Sequence, residues 1–232
     1  MLIKGFIENT FIDWPGRICS VVFVPGCNYK CPFCHNSELV FNDPELSVVK
    51  EEDVFKYIET HKKWIDGIVI TGGEPTLQSD LPEFIGRVKD KGLLVKLDTN
   101  GTNPELVKEL VKSTLVDFIA MDIKSGLTEH RYAKSAGANP LLENVFETIK
   151  FVISSDIQYE FRTTVVPELV EKDDLINIAG HIKHAKLWTW QGFNPENALD
   201  DNFSKVKPYG LKLLEEWLDD IKKIMPNIER RN

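Results

Sequence analysis

The chain has 232 residues, enough for one large domain or two small ones with a sizeable core. Hydrophobic residues make up 42% and charged ones 28%, an ordinary globular balance; the formal net charge of −8, with no basic tract, argues against a nucleic-acid partner. The longest apolar run is far too short to span a membrane, and Met1-Leu2-Ile3-Lys4-Gly5-Phe6 lacks the apolar core of a signal peptide; four cysteines with three in one loop are no disulfide framework, so a reducing cytoplasm is expected.

Residues 1–17 read as a turn-rich lead-in, with Phe11-Ile12-Asp13-Trp14-Pro15-Gly16-Arg17 punctuated by Pro-Gly. Residues 18–24 form a short β-branched run that predicts a buried strand, with Cys19 as a core cysteine inside it. After Pro25-Gly26 comes the loop Cys27-Asn28-Tyr29-Lys30-Cys31-Pro32-Phe33-Cys34-His35-Asn36, three cysteines spaced Cys-x3-Cys-x2-Cys. A tight thiolate triple selects an iron–sulfur cluster, zinc or copper(I). A 4Fe–4S cluster normally takes four cysteines, so three leave one iron open to an outside ligand. On spacing alone a zinc site stays open, with Cys27, Cys31, Cys34 and a distant His61 or His130. His35 is a poor fourth ligand, because adjacent residues rarely both reach one tetrahedral ion.

The chain then alternates. Residues 48–64 carry Val54, Tyr57, Ile58 and His61 at helical spacing, and Gly67–Thr71 predicts a strand. Helix 80–91 ends at Gly92, strand Leu93–Asp98 follows, and Asn103-Pro104 opens the next helix as cap and first-turn proline. Strand Asp117–Asp122 precedes a helix opened by Asn139-Pro140, with Leu142, Val145, Ile149 and Val152 on one face. Strand Ile157–Thr164, helix 173–184 and strand Lys186–Trp190 lead to a closing helix over 208–225, with Leu211, Leu214, Leu218, Ile221 and Met225 inward. Six strand–helix units without a linker imply a parallel sheet with helices outside, too few for a full eight-fold barrel. The expected fold is an α/β partial (β/α)6 barrel in a single domain, 1–232. It has a lead-in over 1–17, a core over 18–191 and a C-terminal segment over 192–232.

Every expected strand runs from apolar residues into polar or glycine-rich ones at its C-terminal end, where sites in such barrels lie. These ends are the cysteine loop, Thr71-Gly72-Gly73-Glu74-Pro75, Asp98-Thr99-Asn100-Gly101, Asp122-Ile123-Lys124, Arg162-Thr163-Thr164 and Gln191-Gly192-Phe193-Asn194-Pro195. Parity agrees: Lys96 and Asp98, Asp122 and Lys124, and Gln158, Glu160, Arg162 and Thr164 each share a face, while alternate positions are apolar. A polar interior that accepts a charged ligand accounts for this. Internal ion pairs are the competing account for Lys96 and Glu160. Trp188 and Trp190 read as core or helix-facing residues, not ligand contacts.

The cysteine spacing, the Cys34-His35-Asn36 ending and the Gly72-Gly73-Glu74-Pro75 motif resemble the radical S-adenosylmethionine (SAM) enzymes. More narrowly, Asp13-Trp14-Pro15-Gly16, Asp98-Thr99-Asn100-Gly101, Met121-Asp122-Ile123-Lys124, Arg162-Thr163-Thr164-Val165-Val166-Pro167 and the Gln-x-Phe-x-Pro ending resemble the activating enzymes of glycyl-radical enzymes. The long branch of anaerobic ribonucleoside-triphosphate reductase activating proteins is the nearest resemblance. Pyruvate formate-lyase activating enzymes share most of these features. The resemblance implies a TIM-barrel-like radical SAM core and a 4Fe–4S cluster on Cys27, Cys31 and Cys34 with SAM at the open iron. It puts Gly72, Gly73 and Glu74 at the SAM amino group, and Asp98, Thr99 and Asp122 around its carboxylate, where a monovalent cation is admitted. Lys124 and Arg162 then counter that charge, Asn100 and Thr164 are further SAM contacts, and Gln191, Phe193 and Asn194 pack on the adenine. It further implies that reductive SAM cleavage yields a 5′-deoxyadenosyl radical, which takes a glycine Cα hydrogen from a partner enzyme. Without cysteines for a second cluster, electrons come from an external flavodoxin or ferredoxin. Two other readings remain: a binding module without SAM affinity, and a radical SAM enzyme acting on a small molecule.

Overall fold

The computed structural model describes residues 1–231. Its strands are β1 (Gly5–Thr10), β2 (Cys19–Val24), β3 (Gly67–Gly72), β4 (Leu94–Thr99), β5 (Phe118–Asp122), β6 (Gln158–Val165), β7 (Trp188–Gly192) and β8 (Ile228–Arg231). Its helices are α1 (Ser37–Val40), α2 (Glu51–His61), α3 (Leu81–Lys89), α4 (Pro104–Lys112), α5 (Glu129–Ala136), α6 (Leu142–Ser154), α7 (Lys172–Ile182) and α8 (Leu211–Ile221). The strands follow one another in the sheet in chain order, β1 to β8. Two compact units divide the chain: Met1–Asn28, Glu38–Thr99 and Asn103–Ala120 form the first, and Tyr29–Ser37, Asn100–Thr102 and Met121–Asn232 the second.

In the first unit β2, β3 and β4 run parallel, with Val24 beside Gly72 and Ile70 beside Leu97. This register brings the C-terminal ends of these strands together. Their apolar parity is buried, Val95 and Leu97 completely. Trp14, Cys19, Val21 and Val69 form a core cluster, and the Phe118 ring tilts against Trp14 at 5.9 Å. Asn103 caps α4 as expected, its side chain accepting from Leu106 N at 3.3 Å, with Pro104 in the first turn.

In the second unit β6, β7 and β8 run parallel, with Thr164 beside Gln191 and Gln191 beside Arg231. Trp188 and Trp190 are fully buried and meet edge to face at 5.5 Å; Trp188 Nε1 donates to Thr163 Oγ1 at 3.1 Å. They are core residues, as the sequence suggests.

Several elements depart from expectation. Residues 5–10, read as part of a turn-rich lead-in, are β1, antiparallel to β2. Ile7, Glu8 and Asn9 are exposed on this edge strand, so it shows no clean hydrophobic alternation. β8 is four residues, three of them charged, and carries no periodic pattern of its own. α5 escapes the sequence reading because its eight residues are mostly polar, with Tyr132 and Ala136 as the buried apolar pair. α6 starts at Leu142, not at Asn139-Pro140. α8 is shorter than 208–225, and Leu211 at its start is 58% exposed rather than inward.

Candidate functional site

In the first unit the Gly72-Gly73-Glu74-Pro75 turn is bonded to the segment that leads into Cys27. Gly73 N donates to Val24 O at 2.8 Å and Glu74 N to Gly26 O at 2.7 Å. Gln78 Nε2 reaches Pro25 O at 2.8 Å, and Gly26 N donates to Leu39 O at 2.7 Å. Gly72 has φ +118°, and a Cβ on Gly73 would collide with the Gly26 carbonyl. The close backbone approach that demands glycine here is therefore to the chain's own β2 end.

Glu74 is buried, and its Oε1 accepts from Thr76 N (3.1 Å), Thr76 Oγ1 (2.6 Å) and Thr99 Oγ1 (2.7 Å). Asn103 Nδ2 holds Thr76 O at 3.0 Å, so the cap of α4 braces the same turn. Lys96, buried, donates to Asp98 Oδ1 at 2.8 Å and to Asp13 O at 2.7 Å. The internal ion pair weighed for Lys96 is thus present, and it fixes Asp98. Cys19 is fully buried in the core; burial first, and Asp13 next, push its thiol up to about 11. That is the character of an inert core cysteine. Cys27 is half-buried at the end of the Pro25-Gly26 segment.

The second unit holds Cys31, buried, and Cys34, half-buried. Cys34 N donates to Cys31 O at 2.9 Å, closing a turn between them. Three contacts fix the loop. Lys30 N donates to Ala136 O at 2.8 Å, Asp200 N donates to Pro32 O at 2.9 Å, and the His35 Nε2 lies 2.6 Å from Asn194 O. Burial pushes the Cys34 thiol up, and the Lys124 charge opposes it. Lys124 Nζ pairs with Asp122 Oδ2 at 3.0 Å and Arg162 Nε with Asp122 Oδ1 at 2.8 Å. Burial would raise the Asp122 carboxyl, but Arg162 and then Lys124 outweigh it and hold it well below the usual range. Burial would lower the Lys124 amine, but Asp122, and behind it Cys31, carry it upward. Two cations and one carboxylate leave this trio with one positive charge.

The remaining expected residues divide by role. Asn100 is buried and shapes its own turn, its Oδ1 accepting from Thr102 N (3.0 Å) and Thr102 Oγ1 (2.7 Å). Thr164 and Gln191 are register partners, both half-buried. Phe193 is buried, while the exposed Asn194 turns its side-chain oxygen to Glu196 N at 3.0 Å. Glu160, buried, pairs with Arg231 at 2.7 Å and accepts from Thr189 at 3.1 Å, the ion-pair account weighed for it. Sequence reasoning missed Thr76, Gln78, Tyr132 and Arg231. The Glu74-Pro75-Thr76 pattern, a cap with a first-turn proline, was a usable sign for the first of these. His61, a candidate zinc ligand, stacks on Tyr57 at 4.0 Å in α2, and His130 is exposed on α5. Among the described residues, no three Cys, His, Asp or Glu side chains form a set that could hold a single metal ion, and no helix is long and apolar enough to cross a membrane.

A family model described as the radical SAM superfamily matches residues 21–179. A Methanocaldococcus jannaschii protein named "Putative glycyl-radical enzyme activating enzyme" is 35% identical over 98% of this chain and 94% of its own length. A pyruvate formate-lyase-activating enzyme of Streptococcus mutans is 29% identical over 79% of this chain and 74% of its own. The crystal structure of Streptococcus suis SuiB bound to precursor peptide SuiA matches with a TM-score of 0.70 at 14% identity over 91% of this chain. The chain spans about half of that structure, 48%. At this identity the likeness shows the fold alone, and it is the α/β partial-barrel fold expected from the sequence.

Proposed function

This chain belongs to the radical SAM superfamily and is a radical SAM enzyme, a family that implies a 4Fe–4S cluster and SAM, and from that premise we propose that it activates a glycyl-radical enzyme. The observation that carries the reading is the match to a relative of that name over nearly the full length of both chains.

The residues suit the cofactors. Cys27, Cys31 and Cys34 are soft thiolate donors on one short loop, and three of them suit a cluster with one open iron. On this reading Cys27, Cys31 and Cys34 hold the cluster, and Gly72, Gly73, Glu74, Asp98, Thr99, Asn100, Asp122, Lys124, Arg162, Thr164, Gln191, Phe193 and Asn194 bind SAM. When bound, the cluster supplies one electron that cleaves SAM and so provides the hydrogen-abstracting radical.

The protein's own work is to orient and to balance charge. Thr76 and Thr99 aim the Glu74 carboxylate, which would receive the SAM amino group. The Asp122–Lys124–Arg162 trio carries one net positive charge, and its Lys124 lies within electrostatic reach of Cys31 and Cys34, which suits both anionic thiolates and a substrate carboxylate. Asp98 and Asp122 are each already paired with cations, Lys96 for the first and Lys124 and Arg162 for the second, so neither brings a spare negative charge to a monovalent cation. An external flavodoxin or ferredoxin would supply the electron, because Cys19 is the one cysteine outside the triple.

Anaerobic ribonucleoside-triphosphate reductase is the proposed partner, on the motif resemblance. Pyruvate formate-lyase is the second reading, favoured by the Streptococcus mutans relative. Anaerobic incubation of reconstituted protein, SAM and reductant with each candidate, read by electron paramagnetic resonance, tests both. A glycyl-radical doublet on one candidate identifies it. Turnover of a small molecule with no doublet on either would defeat the proposal.

A further inference from the structure

One buried polar group in the second unit has no part in the chemistry above. α5 lies against the cysteine loop: Ala136 O accepts from Lys30 N at 2.8 Å, and Tyr132 meets Tyr29 edge to face at 6.2 Å. Gly137, the residue that ends α5, has φ +63°, and a Cβ there would collide with the Lys30 carbonyl. The helix is thus seated against Tyr29 and Lys30, the two residues before Cys31.

Tyr132 is fully buried, and its hydroxyl has no hydrogen-bond partner among the described residues. Buried hydroxyls are nearly always bonded, so an orphan at a binding site asks what satisfies it. The backbone of Lys124 favours the ionised phenol, the effect of an amide donor and not of an acceptor, so it leaves the hydroxyl proton without an acceptor. A phenol holds its proton at neutral pH and is therefore a donor, and Tyr132 lies within electrostatic reach of Cys31.

We propose that Tyr132 Oη donates a hydrogen bond to the sulfur shell of the bound cluster at Cys31, its thiolate or the adjoining sulfide, and thereby raises the cluster's reduction potential. Reduction adds negative charge to the sulfurs, and a donor aimed at them favours the reduced state. This rests on the reading that Cys27, Cys31 and Cys34 hold a 4Fe–4S cluster.

The test compares full-length wild-type protein with Tyr132→Phe, both reconstituted anaerobically with iron and sulfide and without SAM. Iron and sulfide per chain report loading, and a redox titration followed by electron paramagnetic resonance reports the midpoint. The expected result is equal loading and a more negative midpoint in Tyr132→Phe. Equal loading with an unmoved midpoint overturns the inference and leaves the cluster assignment intact. A wild-type chain that loads no iron overturns both. If Tyr132→Phe fails to fold or load, 3-fluorotyrosine at position 132 keeps the ring and makes the hydroxyl a stronger donor. Its midpoint must then rise, and an unmoved value overturns the inference.

Discussion

Arg162 Nε stands 2.8 Å from Asp122 Oδ1, joining the ends of β5 and β6 through a half-buried ion pair. Lys124 takes the other oxygen at 3.0 Å. Two roles follow, binding and stability, and they separate by measurement. Arg162→Ala weakens SAM binding by about 1.5–3 kcal/mol, the range for one charge-assisted bond. Calorimetry on folded variant protein checks this; unchanged affinity would make the pair purely structural.

The same trio gives a pH dependence. The Asp122 carboxyl lies below its ordinary 3.8 in the folded chain. A depressed carboxylate contributes stability above the ordinary value, and that contribution is lost as pH falls further. Asp122→Asn is therefore less stable than wild type at pH 7, and the gap narrows as pH drops below about 4. Urea unfolding at neutral and acid pH reads both.

Cys27→Ala, Cys31→Ala and Cys34→Ala each abolish cluster loading and SAM cleavage, while Cys19→Ala spares both. Cys19 lies in the core with a raised thiol, away from any ligand spacing. Iron analysis after anaerobic reconstitution decides, and about four irons per chain in a Cys31→Ala protein would refute the assignment.

Gly73→Ala costs about 1–3 kcal/mol and lowers cluster loading, because the added Cβ pushes Gly26, the residue before Cys27. Gly86→Ala in α3 meets nothing within 4 Å and gains about 0.5–1 kcal/mol. Opposite shifts of melting temperature in the two variants are the expected result. A neutral Gly73→Ala would show that the turn has room to yield.

Arg231→Ala leaves Glu160 buried without its cation. The loss is about 2 kcal/mol, below the 3–5 of a fully enclosed pair, because Arg231 reaches solvent. Glu160→Gln added to Arg231→Ala restores most of it. Failure of that rescue in a denaturation series would point to lost β8 packing instead.

Much of this molecule is legible in its sequence because the marks are local. A β-branched run, an Asn-Pro cap or a cysteine spacing states its own conformation or chemistry within a few residues. Parity alone put Lys96, Asp98, Glu160 and Arg162 on polar faces, and the β-branched run over 18–24 put Cys19 in the core. What the sequence left open is whatever depends on a partner distant in the chain. β1 and β8 have too little periodicity to declare themselves, and exist through pairing with β2 and β7. Lys124 and Arg162 read as ligand-facing charges, yet each is held by Asp122, and no spacing rule reveals that one carboxylate serves both. The glycines of Gly72-Gly73 announce a close approach but not its object, which is the carbonyls of Val24, at the end of β2, and of Gly26 just beyond it. By itself the sequence determined the chemistry carried by each strand end; only the tertiary structure decided which of those groups neutralise one another, because Coulomb and hydrogen-bond energies depend on distance in space.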